Sequence, residues 1–143
     1  EWNVGELARK AYGKDACLIG FTTYDGRVTA ASEWDGPALH KHVRPGMPGS
    51  SEHLLHSVGM ERFFLPLREP GEARDVLMEE RLERAIGVLY LPRTERHSHY
   101  FMAQPPRQYD AVIHIDRSSA VVPLDATSGW HSGEPPETYP QGL

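Results

Sequence analysis

Residues 81–101 read RLERAIGVLYLPRTERHSHYF. Ala85, Ile86, Gly87, Val88, Leu89 and Tyr90 form an unbroken apolar run too short for a lone buried helix. The pattern predicts a strand covered on both faces and ended by Pro92. In open α/β sheets ligands collect beyond the carboxyl ends of the strands, so Thr94, Glu95, Arg96, His97, Ser98, His99 and Tyr100 fall where chemistry is expected.

Upstream of this stretch, Pro70-Gly71 separates a predicted strand over residues 62–67 from a helix expected over residues 72–83, with Val76, Leu77 and Leu82 on its buried side. Ser50 or Ser51 can cap an earlier helix carrying Leu54, Leu55 and Val58 and closed by Gly59. Between residues 33 and 49, Gly and Pro punctuate a pocket wall or lid around an edge strand at 39–44. Residues 16–22 read as a strand, Asp25-Gly26 as a tight hairpin turn, and residues 27–32 as its antiparallel partner. At the start, Asn3 caps a short amphipathic helix with Glu6 three residues on, Trp2 and Leu7 are spaced as a hydrophobic staple, and Gly13 supplies the stop.

Downstream, Pro105-Pro106 marks an irregular passage before the last strand, YDAVIHID at 109–116. There Ala111, Ile113 and Ile115 share one face, and Val112, His114 and Asp116 the other. The order of elements predicts a mixed α/β sheet with packed helices. Residues 1–126 are read as one α/β segment and 127–143 as an extended tail with Trp130 and Tyr139 as candidate anchors.

With 143 residues, 39% of them hydrophobic and 24% charged, the chain suits a single globular domain. A net charge of −5 with both signs interspersed offers no basic stripe for nucleic-acid phosphates or an anionic membrane. Cys17 is the only cysteine, which rules out an intrachain disulfide and a cysteine zinc site and suits a reducing cytoplasm. Neither a bilayer-spanning run nor a targeting segment is visible.

His40 with His42, His53 with His56, and His97 with His99 invite a metal reading, but each lacks a third ligand and a second shell, so no metal is expected. His53 and His56 read as surface residues. His99 is either a general base, with Glu95 to orient it and Tyr100 as a donor, or a loop histidine bonded to backbone that shapes a pocket wall. The wall reading is preferred. His114, in an apolar strand, reads as a satisfied core histidine. The absence of a nucleophile elbow, a P-loop and a dinucleotide fingerprint disfavours serine hydrolase chemistry and predicts no cofactor. Arg93, Arg96 and Arg107 are candidate clamps for an anionic group.

Several ordered blocks resemble a known family. Asn3-Val4-Gly5-Glu6-Leu7, Ile19-Gly20-Phe21, Leu82-Glu83-Arg84-Ala85-Ile86-Gly87-Val88, Ser98-His99-Tyr100-Phe101 and Tyr109-Asp110-Ala111-Val112-Ile113-His114-Ile115-Asp116 look like the C-terminal part of erythromycin esterase-like proteins. The resemblance implies hydrolysis of a small-molecule ester, a macrolactone in the founding members and hence macrolide resistance, by histidine-activated water with carboxylate help. It also implies that the principal histidine and glutamates, and a His-Asn-x-His element, lie upstream, on no position of this chain. The chain is therefore expected to be a C-terminal portion of a larger α/β domain, inactive alone, with the upstream part of the same polypeptide as its partner. His99 is then the residue nearest the substrate, with Glu95, Arg96 and Tyr100 as substrate-binding neighbours. The alternative is a scaffold or binding module of the same fold.

Overall fold

The computed structural model describes residues 3–121. It is a mixed α/β arrangement in which a four-stranded sheet is joined by a two-stranded one, with helices packed on them. The staple at Trp2 and the tail at 127–143 lie outside the described residues.

Helix α1 (Val4–Tyr12) starts where Asn3 accepts the Glu6 amide at 2.9 Å and ends at Gly13, whose φ of 53° suits glycine. The chain then enters β1 (Ile19–Ala30), one continuous strand of 12 residues. Up to Gly26 it pairs in parallel with β6 (Ala111–Ser118), and from Gly26 onward antiparallel with β2 (Leu39–Val43). The hairpin expected at Asp25-Gly26 is therefore absent. Gly26, with φ 123°, bends the strand without reversing it, because Asp25 and Gly26 are already in register with Arg117 and Ser118. A Cβ there would stand 2.2 Å from the Ser118 carbonyl oxygen. Gly26→Ala is expected to lower stability by at least about 2 kcal/mol, from φ strain plus the clash. A urea midpoint equal to wild type would contradict this.

Sheet order is β2-β1-β6-β3, where β3 is Arg62–Pro66, antiparallel to β6. The expected edge strand, the strand at 62–67 and the strand at 109–116 are thus present within two residues. Helix α2 (Ser51–His56) is capped by Ser50, and α3 (Glu72–Leu77) follows β3. They cover one sheet face around Leu55, Leu67, Leu77 and Val112.

The apolar run at 85–90 departs from expectation. Helix α3 ends at Leu77, where the Met78 amide turns back to Arg74 and Asp75, and Arg81–Arg84 becomes strand β4, paired with β5 (Tyr100–Ala103). The run itself joins the main sheet by no ladder beyond an isolated bridge between Leu89 and Ala31; Ile86 and Tyr90 pack against Val28, Ala30 and Val43, while Val88 is 68% exposed. β6, not this run, is the central strand, because the edge of β1 beyond Gly26 is already taken by β2. Between β4 and β5 lies the one-turn helix α4 (Glu95–Ser98), and α5 (Pro105–Gln108) precedes β6.

Candidate functional site

Polar side chains gather where the parallel pair β1–β6 ends. His56 stacks on Tyr24 with ring centroids 3.7 Å apart and planes 3° apart, and its Nδ1 lies 2.6 Å from Asp116 Oδ1. The same oxygen lies 3.4 Å from His114 Nε2, and His114 Nδ1 is 2.9 Å from Thr22 Oγ1. An ionised carboxylate only accepts, so both imidazoles donate to Asp116 and the Thr22 hydroxyl donates to His114. His114 is fully buried, as a satisfied core histidine should be, and burial lowers its pKa despite the pull of Asp116. His56 keeps Nε2 without a hydrogen-bond partner among the described residues. An imidazole oriented by a carboxylate with its far nitrogen open can take up a proton. His56 is therefore a built-in partner of the strand end, not a bare surface residue as its helix position suggested.

Behind this cluster sits a buried ionic hub. Arg84 donates through Nη1 to Glu95 Oε1 at 2.8 Å and to the Arg44 carbonyl at 2.7 Å, and through Nη2 to the carbonyls of Thr23 and Tyr24 at 2.7 and 2.9 Å. Its backbone amide donates to Glu52 Oε1 at 2.8 Å, and the Tyr90 hydroxyl donates to Glu95 Oε1 at 2.9 Å. Burial pushes the Tyr90 hydroxyl up to about 12, with the Glu95 carboxylate adding to the shift. The hub ties the bend of β1 to the loop at 44–50, to α2 and to the histidine loop. A cavity of about 240 Å³ opens beside it, lined by Phe21, Thr23, Val28, Glu52, Arg84 and Ile86 among others.

Glu83, on the strand beside Arg84, is 5% exposed, and its Oε2 has no partner among the described residues, as is true of Glu52 Oε2. Burial first, and the Glu52 charge second, raise the Glu83 carboxyl to about 7. Asp110, at the start of β6, goes the other way. Burial pushes it up, but donation from Arg68, the Leu18 amide and Arg9 overcomes that and holds it at about 2.

Of the four residues singled out from the sequence, Glu95 and Tyr100 meet at Arg84, while His99 and Arg96 make other contacts. His99 Nε2 accepts the Leu91 amide at 2.9 Å while Nδ1 faces the Ala85 carbonyl at 3.1 Å, so both ring nitrogens are engaged by backbone. Glu95 is buried in the hub. The Tyr100 hydroxyl accepts the Met47 amide at 3.1 Å, and its ring lies under Arg84. Arg96 is exposed, against Met47 Sδ. Glu52, Arg84, His56 and Asp116 were not selected from the sequence. Of these, His56 was weighed with His53 and read as a surface residue, and Asp116 carried a signal in its i, i+2 placement with His114 on one strand face. No group of three or more His, Cys, Asp or Glu among the described residues is placed to hold a metal.

A mixed sheet with two parallel central strands, helices packed on it and polar groups at the strand ends defines an α/β domain. The erythromycin esterase family model matches residues 1–118, and the chain belongs to that family. Among solved structures it is similar to a succinoglycan biosynthesis protein, with 23% identity and a TM-score of 0.69 over 82% of this chain and 28% of that one. It is also similar to a protein from Bacillus cereus, with 18% identity and a TM-score of 0.62 over 78% of this chain and 27% of that one. The chain thus spans little more than a quarter of the length of either. No helix among the described residues is long and apolar enough to cross a membrane.

Proposed function

We propose that this chain forms the backing strands and one wall of the cleft of an ester hydrolase, in which water activated by a histidine attacks a small-molecule ester, a macrolactone being one candidate. The principal acid–base groups belong to the upstream part of the polypeptide, and the setting is cytoplasmic. The family match over residues 1–118 carries this reading. It is supported by the described residues themselves, which gather an oriented histidine at the strand ends but no nucleophile, base and oxyanion donors around one point. The 143-residue chain alone is expected to hydrolyse no ester.

In this reading His99 is a wall residue that holds residues 85–91 against the histidine loop, Glu95 and Tyr100 keep that wall rigid from behind, and Arg96 faces the substrate. The test is ester hydrolysis by a polypeptide that includes the upstream region, first with p-nitrophenyl esters and then with a macrolactone. Loss of His99 as a wall is expected to lower kcat/KM by less than about tenfold. A fall of about 10² to 10⁴ would make it a general base, and unchanged turnover would remove it from the site altogether. Turnover by the 143-residue chain alone would overturn the assignment of the acid–base groups to the upstream region.

A further inference from the structure

Among the described residues, α2 and α3 leave one face of the sheet open. Register places Phe21, Ile113 and Phe64 side by side across β1, β6 and β3, with Ile19, Ala111 and Pro66 in the row before and Thr23, Ile115 and Arg62 in the row after. Phe21 is 70% exposed, Phe64 59% and Ile19 45%. A contiguous apolar strip of this kind on a sheet marks an interaction surface.

Among the described residues no strand pairs with the edge of β1 beside that face. Leu18 gives its carbonyl to Asp110 and Ala111 on the β6 side, so strand alternation turns the peptide groups of Ile19, Phe21 and Thr23 the other way. β2 pairs with β1 only from Gly26 onward, and of those outward groups the Thr23 carbonyl is taken by Arg84. An unpaired strand edge next to a bare apolar face is a template for strand addition.

We infer that this edge and face dock the upstream region of the same polypeptide, which lays a strand along Ile19 and Phe21 and a helical layer over the Phe21–Ile113–Phe64 row. The proposal rests on the reading above that a longer polypeptide completes the cleft. Its occupant follows from fold rules and length together. A parallel pair needs a crossover connection, which lays a helix of the same domain on a face of the sheet, whereas here the described helices cover one face. The solved relatives share this fold over 82% and 78% of the chain, yet this chain accounts for only 28% and 27% of theirs. The three rows carry Arg62 at one corner and no other charge, and the next row is the Asp25–Arg117 ion pair, so the apolar strip is bounded by charge at one end, which suits a packed apolar layer. α1 leads directly into β1 and leaves Val4 and Leu7 exposed, as the second half of a strand–helix–strand crossover does, so the added strand runs parallel to β1. Its carboxyl end then arrives beside Thr23, Arg84 and the His56–Asp116 pair.

Residue-resolved hydrogen exchange tests this on two samples, the 143-residue chain and a polypeptide carrying the upstream region. The amides of Ile19 and Phe21 are expected to exchange at least about 100-fold more slowly in the longer protein, while those of Gly20 and Thr22, already turned to β6, change little. Phe21→Asp is expected to abolish that protection in the longer protein and to leave the urea midpoint of the 143-residue chain unchanged, which separates docking from misfolding. Equal exchange of Ile19 and Phe21 in both samples would overturn the proposal. So would a dimer of the 143-residue chain protecting the same two amides, since a second copy would then be the occupant. Exchange is independent of turnover: protection without ester hydrolysis sinks the esterase reading alone, and hydrolysis without protection sinks the docking alone.

Discussion

Arg84→Met is expected to lower the stability of the chain by about 3 to 5 kcal/mol, the usual result of removing one member of a buried ion pair. The side chains of Arg84 and Glu95 are 1% and 4% exposed. Taking away the guanidinium strands the Glu95 carboxylate, with only the Tyr90 hydroxyl left to donate to Oε1, and removes a donor from the carbonyls of Thr23, Tyr24 and Arg44, of which Tyr24 keeps the Gly46 amide. Those carbonyls belong to the bend of β1 and to the loop at 44–50, so the loss extends beyond a single contact. The double variant Arg84→Met with Glu95→Leu is expected to recover part of the loss, because it removes the stranded charge along with its partner. Urea unfolding measures both. A single-variant loss below about 1 kcal/mol would show that the hub does not hold these segments together.

The second large effect is a fall in stability with rising pH, traced to Glu83. Its carboxyl is raised to about 7 in the fold from an ordinary 4.5, by burial and by the neighbouring Glu52. The folded state therefore binds this proton more tightly than the unfolded chain does. The contribution is fully present below pH 4.5 and is lost as pH rises through about 7, for an order-of-magnitude total of about 3 kcal/mol. Glu83→Gln, which cannot ionise, is expected to be less sensitive to pH across that window and more stable than wild type at pH 8. Two groups act in the opposite sense. His114, lowered by burial, contributes stability that is lost as pH falls below its ordinary range, and Asp110, held at about 2, contributes stability that is lost as pH falls from 3.8 through that value. Subtracting the Glu83→Gln profile from wild type removes both, because they are common to the two proteins. Relief of Glu52, which shares the same buried space, remains inside the difference. Parallel profiles between pH 5 and 8 would contradict the assignment.

How far the chain can be read without coordinates differs from element to element. Asn3 and Ser50 act as caps in the way their spacing implies, because a cap is satisfied within three residues of itself. The alternation of YDAVIHID is visible in the letters, and it becomes the strand with neighbours on both sides. Residues 85–90 mislead because apolar content measures a preference for burial and does not say which strand has a free edge to offer. Asp25-Gly26 misleads for a related reason. The dipeptide permits a reversal, but seven pairings between β1 and β6 carry the strand on through it with only a bend.

The candidate site shows the same division more sharply. His99 is conspicuous in sequence, yet both of its nitrogens serve backbone groups nearby. Arg84, inconspicuous in sequence, gathers Thr23, Tyr24, Arg44, Glu52 and Glu95. Helix caps, the glycine that stops α1, strand alternation and the family's ordered blocks are short-range properties, and the letters alone are enough to establish them. Which strand lies in the middle, which histidine meets a carboxylate and which charges are buried depend on contacts such as Thr22 with His114, 92 residues apart. Contacts of that range form only once the sheet has closed, because the entropy of bringing such distant segments together is offset by the packing of the whole layer.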